Sequence, residues 1–270
     1  MSRLALLGGG KMGEALVGGL IDAGWDAEDL AVAEPVPERR HVLEARFPKV
    51  RVVPAPAWAV PEADVVVVAV KPADVPAALE SAASALVPGT LVVSIAAGVT
   101  LATLEELLPG FPVVRAMPNT PALVRRGAAA IARGTHAGEE HMARAERVLS
   151  AVGTVTRVPE SLLDAVTGLS GSGPAYIFLL AEALIDAGVG VGLPRPVAQS
   201  LVIQTLLGSA TLLAEGEEGP EALRAAVTSP GGTTAAGLAA LEARAMRAAI
   251  LEAVAAATER SRQLGQKDQN

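Results

Sequence analysis

Leu4-Ala5-Leu6-Leu7 runs without a break into Gly8-Gly9-Gly10-Lys11-Met12-Gly13. A helical pattern follows, with Met12, Ala15, Leu16, Gly19, Leu20 and Ala23 on one stripe and a stop near Gly24. A short apolar run that feeds a glycine turn and then a helix opens a β-α-β unit. It commits the chain to a parallel sheet whose strands are joined by crossover helices. The alternation continues, with strands predicted at Leu30–Ala33, Val50–Val53, Ala63–Val70, Leu91–Ala96 and Val113–Ala116. Helices are predicted near residues 73–86 and 101–108. Two weaker strands, near Ala128–Ile131 and Thr154–Val158, flank a helix around 139–151. The fold class is α/β, with helices on both faces of a parallel sheet.

After Pro159 no strand pattern returns. Residues 161–168, 174–189, 194–215, 219–227 and 234–264 all read as helix, with Gly and Pro punctuating the turns. The domain boundary is therefore placed near residue 160, giving a dinucleotide-binding domain over 1–160 and a helical domain over 161–270. From Ala235 to Thr258 the last helix is apolar around most of its circumference, which suits burial on more than one side. We read it as a subunit interface; the alternative is simple alanine richness.

Composition removes several function classes. Hydrophobic residues make up 51% of the 270-residue chain and charged residues 19%, which excludes global disorder. A net charge of −7 and 2% aromatics argue against nucleic-acid binding. Cysteine is absent and there are three histidines, so no metal is expected. Apolar runs such as Val65–Val70 are short and interrupted, so no membrane span is expected. Met1-Ser2-Arg3 leads straight into a strand without a secretory signal, and the cytoplasm is the expected compartment.

Gly8, Gly10 and Gly13 form G-x-G-x-x-G between a strand and a helix, the setting in which that pattern binds a dinucleotide. Gly8 makes the turn, Gly10 admits the pyrophosphate and Gly13 lets helix pack on strand. The phosphates would meet free N–H groups at the helix start. Glu34 ends the second strand, where a carboxylate accepts from a ribose 2′-OH and repels a 2′-phosphate. Arg39 and Arg40 follow closely. They read either as 2′-phosphate ligands or as a solvated face, so NAD is favoured slightly and NADP stays open. Lys71, Ala96-Ala97-Gly98 and Met117-Pro118-Asn119-Thr120 follow the carboxyl ends of strands, where ligands bind in such sheets. Asn119 reads equally as a ligand contact or a loop brace. In the second half, Val227-Thr228-Ser229-Pro230-Gly231-Gly232-Thr233-Thr234 precedes the long helix. Thr233 or Thr234 would serve as N-cap, and the loop reads as an anion cradle or as a tight turn.

The Ser-Pro-Gly-Gly-Thr-Thr loop with the following AAGLAALE resembles the signature of the pyrroline-5-carboxylate reductase family. Further segments match family motifs in the family's order: Gly8 to Gly13, Ala69-Val70-Lys71-Pro72, Val93 to Val99, Arg115 to Pro121 and Asp164 to Tyr176. The resemblance runs from residue 3 to about 264. It implies an N-terminal Rossmann-type doubly wound sheet, an all-helical C-terminal dimerisation domain, and dimers that in some members form larger rings. It implies reduction of the C=N bond of 1-pyrroline-5-carboxylate to L-proline by NADPH or NADH. The residues it implies at the cofactor are Gly8, Gly9, Gly10, Lys11, Met12, Val70, Lys71 and Ala97; Gly13, Glu34, Pro72 and Asn119 join them from their places in the glycine loop and past the strand ends. The family varies at Glu34, so the resemblance leaves NAD and NADP both open. Those implied at the substrate are Ser229, Gly231, Gly232, Thr233 and Thr234, with Glu160 near the substrate in a partner's site.

Beyond residue 160 the chain has no His, no Cys and no Lys before Lys267. A cyclic imine is basic enough to arrive protonated, so a strong general acid is not required. Thr234 is the candidate catalytic residue, as hydrogen-bond partner of the ring nitrogen. Tyr176 and Asp164 read as packing and as solvated or capping groups. A 3-hydroxyacid-type dehydrogenase is a weaker alternative, since those enzymes use a lysine in the helical domain. A noncatalytic dinucleotide-binding protein is the other.

Overall fold

Leu4, Leu6, Val65 and Val67 belong to one buried cluster, and Ala5, Leu7, Val66 and Val68 to another. The period of two sends alternate side chains of each strand to opposite layers. Runs that are apolar at every position therefore mark strands covered on both faces. The structure is a computed structural model that describes residues 3–267. Its residues fall into two compact units. The first runs through Ser172 and includes the chain from Ala255 onward; the second is Gly173–Val254.

In the first unit, β1 (Leu4–Leu7), β2 (Leu30–Ala33), β3 (Arg51–Val53), β4 (Val65–Val68), β5 (Leu91–Ser94), β6 (Val113–Met117), β7 (Gly127–Arg133) and β8 (Gly153–Arg157) form one sheet. Its order is β3-β2-β1-β4-β5-β6-β7-β8. Helices α1 (Lys11–Asp22) and α6 (Glu139–Ser150) supply Leu16, Leu20, Met142 and Leu149 to one layer. Helices α4 (Val75–Ala83) and α5 (Leu101–Leu107) supply Leu79 and Leu104 to the other. Leu16, Leu79 and Leu104 are at most 1% exposed, and each such leucine contributes about 1.5–3 kcal/mol. The remaining helices here are α2 (Pro37–Arg46), α3 (Pro56–Ala59) and α7 (Leu163–Val166).

The sheet departs from the expected all-parallel form at one place. β7 pairs antiparallel with β6, and then parallel with β8. Only a short helical turn, Thr120–Val124, joins β6 to β7. A parallel crossover needs a dozen or more residues, so the chain must reverse. β4 and β5 also end earlier than expected, leaving Ala69–Lys71 and Ile95–Ala97 beyond the sheet edge.

The break between units comes at Ser172, later than the boundary expected near 160. Residues 160–172 stay with the sheet because Leu163 is 1% exposed in its core. Asp164 was expected to be solvated or capping; its Oδ1 instead accepts from Ser261 Oγ at 2.7 Å. Thr167–Gly171 forms a π-helical turn, and a Cβ on Gly171 would lie 2.6 Å from Met117 Cε.

The second unit contains α8 (Gly173–Gly190), α9 (Arg195–Glu215), α10 (Pro220–Ala226), α11 (Thr233–Ala243) and the first part of α12 (Met246–Lys267). α8 and α9 form a hairpin in which Gly188 faces Ala198; a Cβ there would sit 3.1 Å from the Ala198 Cβ. The single helix expected over 234–264 is broken instead. Ala245 has φ +54, and α12 restarts at Met246. A left-handed non-glycine residue interrupts the hydrogen-bond ladder at that step.

Apolar continuity is greater than the sequence reading expected. The helical stretches Glu160–Gly190 and Arg195–Glu215 each contain an 18-residue window, of mean hydropathy 1.3 and 1.5, that is long and apolar enough to cross a membrane. Phe178, Leu179, Leu201, Ile203 and Leu207 are all more than half exposed in the single chain.

Candidate active site

The parallel strands β1, β2, β4, β5 and β6 all end on one edge. The register aligns Leu7 with Ala33 and Val68, Val68 with Ser94, and Ser94 with Arg115. Residues just past those positions therefore share that edge: Gly8, Glu34, Val70–Lys71, Ala97 and Asn119. β1 sits where the sheet order turns back, with β2 on one side and β4 on the other. Ligands of open α/β sheets bind at such a switch point.

The glycine loop fills this point tightly. Gly8 has φ +109, and a Cβ there would lie 2.7 Å from Ala69 O. A Cβ on Gly13 would lie 2.2 Å from Gly8 O, so α1 can approach only without a side chain. Gly10 is different, since nothing lies within 4 Å of its Cβ position. Gly10 is also the N-cap of α1 and offers no side-chain cap to the first N–H groups of the helix. Two glycines locked by backbone and a third with open space at its Cβ position suit a dinucleotide pyrophosphate. Lys71 and Pro72 are exposed and Val70 is half-buried on the same edge. Among the described residues, no group of three or more His, Asp or Glu is placed to hold a metal ion.

Glu34 is 7% exposed and braces the loop from below. Its Oε2 accepts from Gly9 N at 3.0 Å and its Oε1 from Val36 N at 2.9 Å. Arg39 Nε donates to Gly9 O at 2.6 Å, and Arg39 also pairs with Glu14. Arg46 pairs with the other Glu14 oxygen. Burial pushes the Glu14 carboxyl up, and Arg39 and then Arg46 pull it down further, so it ends below its ordinary value of 4.5. Arg40 Nη1 donates to Glu34 O at 2.9 Å and Pro35 O at 2.8 Å.

Asn119 spends both ends of its amide inside the first unit. Nδ2 donates to Ser170 O at 3.0 Å and Oδ1 accepts from Ala128 N at 2.8 Å. Glu160 Oε1 accepts from Leu101 N at 2.7 Å and from Arg115 Nη1 at 2.9 Å. Arg115 is 7% exposed on β6. This pair ties the end of β8 to β6 and to the start of α5. The motifs did not reveal it, although a lone Arg inside Val-Val-Arg-Ala-Met signals a buried charge that needs a partner.

In the second unit the helix start at α11 repeats the backbone of α1. Gly232 is its N-cap at φ −78, ψ 173, against φ −64, ψ −172 for Gly10. Thr233 and Thr234 are the first two helical residues, so neither is the N-cap that was expected. The extended Gly232, which follows Gly231 at φ +70, takes the cap position instead. Gly232 N donates to Ser229 O at 3.0 Å, and a Cβ on Gly232 would lie 2.4 Å from Ser229 Oγ. Thr233 and Thr234 are exposed. The loop thus presents helix-start N–H groups flanked by two hydroxyls, a geometry suited to a small carboxylate.

Comparison with known proteins gives this geometry a family. The chain is 47% identical to a pyrroline-5-carboxylate reductase of Mycobacterium tuberculosis, over 98% of this chain and 97% of that one. The chain belongs to the pyrroline-5-carboxylate reductase family. The family model for pyrroline-5-carboxylate reductase dimerisation matches residues 160–264. A model described as NADP oxidoreductase, coenzyme F420-dependent, matches residues 3–98. The pyrroline-5-carboxylate reductase structure from Coxiella burnetii superposes with a TM-score of 0.93 at 36% identity, covering 97% of this chain and 98% of that one. The Plasmodium falciparum pyrroline carboxylate reductase, solved with NADP bound, superposes with a TM-score of 0.86 at 30% identity, covering 98% of both chains. The motifs of this reductase family thus lie on the two helix starts and on the carboxyl edge of the sheet.

Proposed function

We propose that the chain reduces the C=N bond of 1-pyrroline-5-carboxylate to give L-proline, the last step of proline biosynthesis, with NADPH or NADH as donor. Kinship over nearly the whole length of a reductase carries this reading, and the two glycine-capped helix starts supply its chemistry. The reduced nicotinamide, when bound, supplies the hydride.

The protein's part is to bind, orient and exclude water. Gly8, Gly9, Gly10, Lys11, Met12 and Gly13 hold the pyrophosphate, with Glu34 at the adenosine ribose. Val70, Lys71, Pro72 and Ala97 line the nicotinamide half, and Asn119 contributes by holding the loop after β6 in shape. Ser229, Gly231, Gly232 and Thr233 hold the substrate carboxylate on the helix-start N–H groups. The Thr234 hydroxyl hydrogen-bonds the ring nitrogen and keeps the iminium proton directed. Glu160 serves the substrate site of a second copy, through the oxygen that Arg115 and Leu101 leave over. Hydride transfer then requires reacting atoms about 3–3.5 Å apart and aligned.

The functional division falls at residue 160, with cofactor binding before it and substrate binding and dimerisation over 161–270. The exposed apolar faces of α8 and α9 are covered by a second copy, giving a homodimer through the C-terminal helices that assembles into a ring of dimers. The enzyme works in the cytoplasm.

The test is absorbance decay of reduced nicotinamide with purified protein and 1-pyrroline-5-carboxylate. Decay that requires both reactants and yields proline supports the assignment, and its absence with both nucleotides contradicts it. Thr234→Ala should lower turnover about tenfold or more at unchanged thermal stability, the size of a lost hydrogen bond to a charged group. Unchanged turnover would remove Thr234 from the reaction.

A further inference from the structure

We infer that Glu34 makes this chain prefer NADH to NADPH. The inference rests on the dinucleotide-binding reading above and adds which adenosine ribose the loop accepts. Sequence alone leaves two opposed signals at the end of β2: a carboxylate that suits a ribose 2′-OH, and two arginines that would suit a 2′-phosphate. The structure separates them.

Glu34 stands one residue past β2, directly beneath the glycine loop; a Cβ on Gly9 would lie 3.2 Å from its Oε2. Both carboxylate oxygens accept from backbone N–H groups, Gly9 N and Val36 N. A carboxylate held by two N–H donors is fixed in place. Its oxygens keep lone pairs for a 2′-OH donor, whereas a 2′-phosphate brings only acceptors and negative charge.

The arginines are committed elsewhere. Arg39 bridges the carbonyls of Gly9 and Gly10 and pairs with Glu14, so its donors support the loop. Arg40 Nη1 is spent on the carbonyls of Glu34 and Pro35. In this arrangement the arginines hold the backbone that carries Glu34, and the carboxylate decides which ribose is accepted.

The experiment is calorimetric titration of the full-length protein with NADH and with NADPH, without substrate, on the wild type and on Glu34→Gln and Arg40→Ala. The wild type should bind NADH about tenfold or more tightly than NADPH, the scale of one close like-charge contact. Glu34→Gln removes the charge while keeping the side chain's size. It should tighten NADPH about tenfold and shift NADH less than about threefold. Arg40→Ala should leave the NADH to NADPH ratio within about twofold. Tighter binding of NADPH by the wild type overturns the inference without help from any variant. So does a ratio that Glu34→Gln leaves unchanged, or a selective loss of NADPH in Arg40→Ala. Binding of neither nucleotide would overturn the dinucleotide reading beneath it as well.

Discussion

The two units bury their apolar residues very differently. In the first, both faces of the sheet are covered, and Leu4, Leu6, Leu7, Val66, Val67 and Leu79 are all at most 1% exposed. In the second, Ala198 is the one buried hydrophobic residue among those described, while Phe178, Leu179 and Leu207 are 62%, 66% and 60% exposed. A sheet sandwiched by helices completes its core within one chain. A few long helices that are apolar around most of their surface do not. Exposed apolar area on this scale marks an interface. The contrast teaches that the sheet unit completes its own core, while the helical unit, which matches a dimerisation family model, leaves an apolar surface of the kind that assembly covers.

The sharpest way to break that comparison is a charge on α9. Leu207→Asp would change stability by at most about 0.5 kcal/mol if the residue faced water. Against a second copy it should cost about 3 kcal/mol or more and dissociate the assembly in sedimentation. An unchanged oligomer would break the comparison. In the first unit, Leu79→Ala should cost about 3 kcal/mol in chemical denaturation at every protein concentration. A loss that varied with concentration would show that the sheet's core also depends on assembly.

The glycine loop sharpens the contrast within the first unit. Gly13→Ala should lose about 2 kcal/mol, because its Cβ meets Gly8 O. Gly10→Ala should stay within about 0.5 kcal/mol in stability, since its Cβ meets nothing, yet lose nucleotide affinity about tenfold under the proposed pyrophosphate site. Equal melting temperatures for the two variants would remove the distinction. The smallest effect concerns Glu14, whose folded carboxyl lies below its ordinary 4.5 because Arg39 and Arg46 outweigh the upward push of burial. Such a group adds stability that is fully present above the unfolded value and is lost as pH falls through the folded one. Glu14→Gln should therefore cost under about 1 kcal/mol at pH 7, with the deficit disappearing well below pH 4.5. A deficit that persisted in acid would assign the loss to packing.

Much of the first unit was legible from period and punctuation. Val65–Val68 could only be a doubly covered strand, and Gly8 to Gly13 between strand and helix could only be a tight turn. The reversal at β7 was less visible, because its signal is the shortness of the link after Met117 and not any residue in the strand. The break at Ala245 carries no glycine or proline, so nothing local announces it. The glycine N-caps explain a subtler miss. Thr233 and Thr234 look like caps, but Gly232 occupies the cap position, which places both hydroxyls on the first helical turn. The pairing of Arg115 with Glu160 joins residues distant in sequence, and only the fold brings them together. The motifs thus picked out both glycine loops, while the braces beneath them became visible only in three dimensions.

The most direct test is a crystal of the full chain grown with nucleotide and L-proline. The account places diphosphate oxygens on the N–H groups at Gly10–Met12 and the proline carboxylate on those at Gly232–Thr234. Proline bound away from the second loop, with the nucleotide in place on the first, would contradict it.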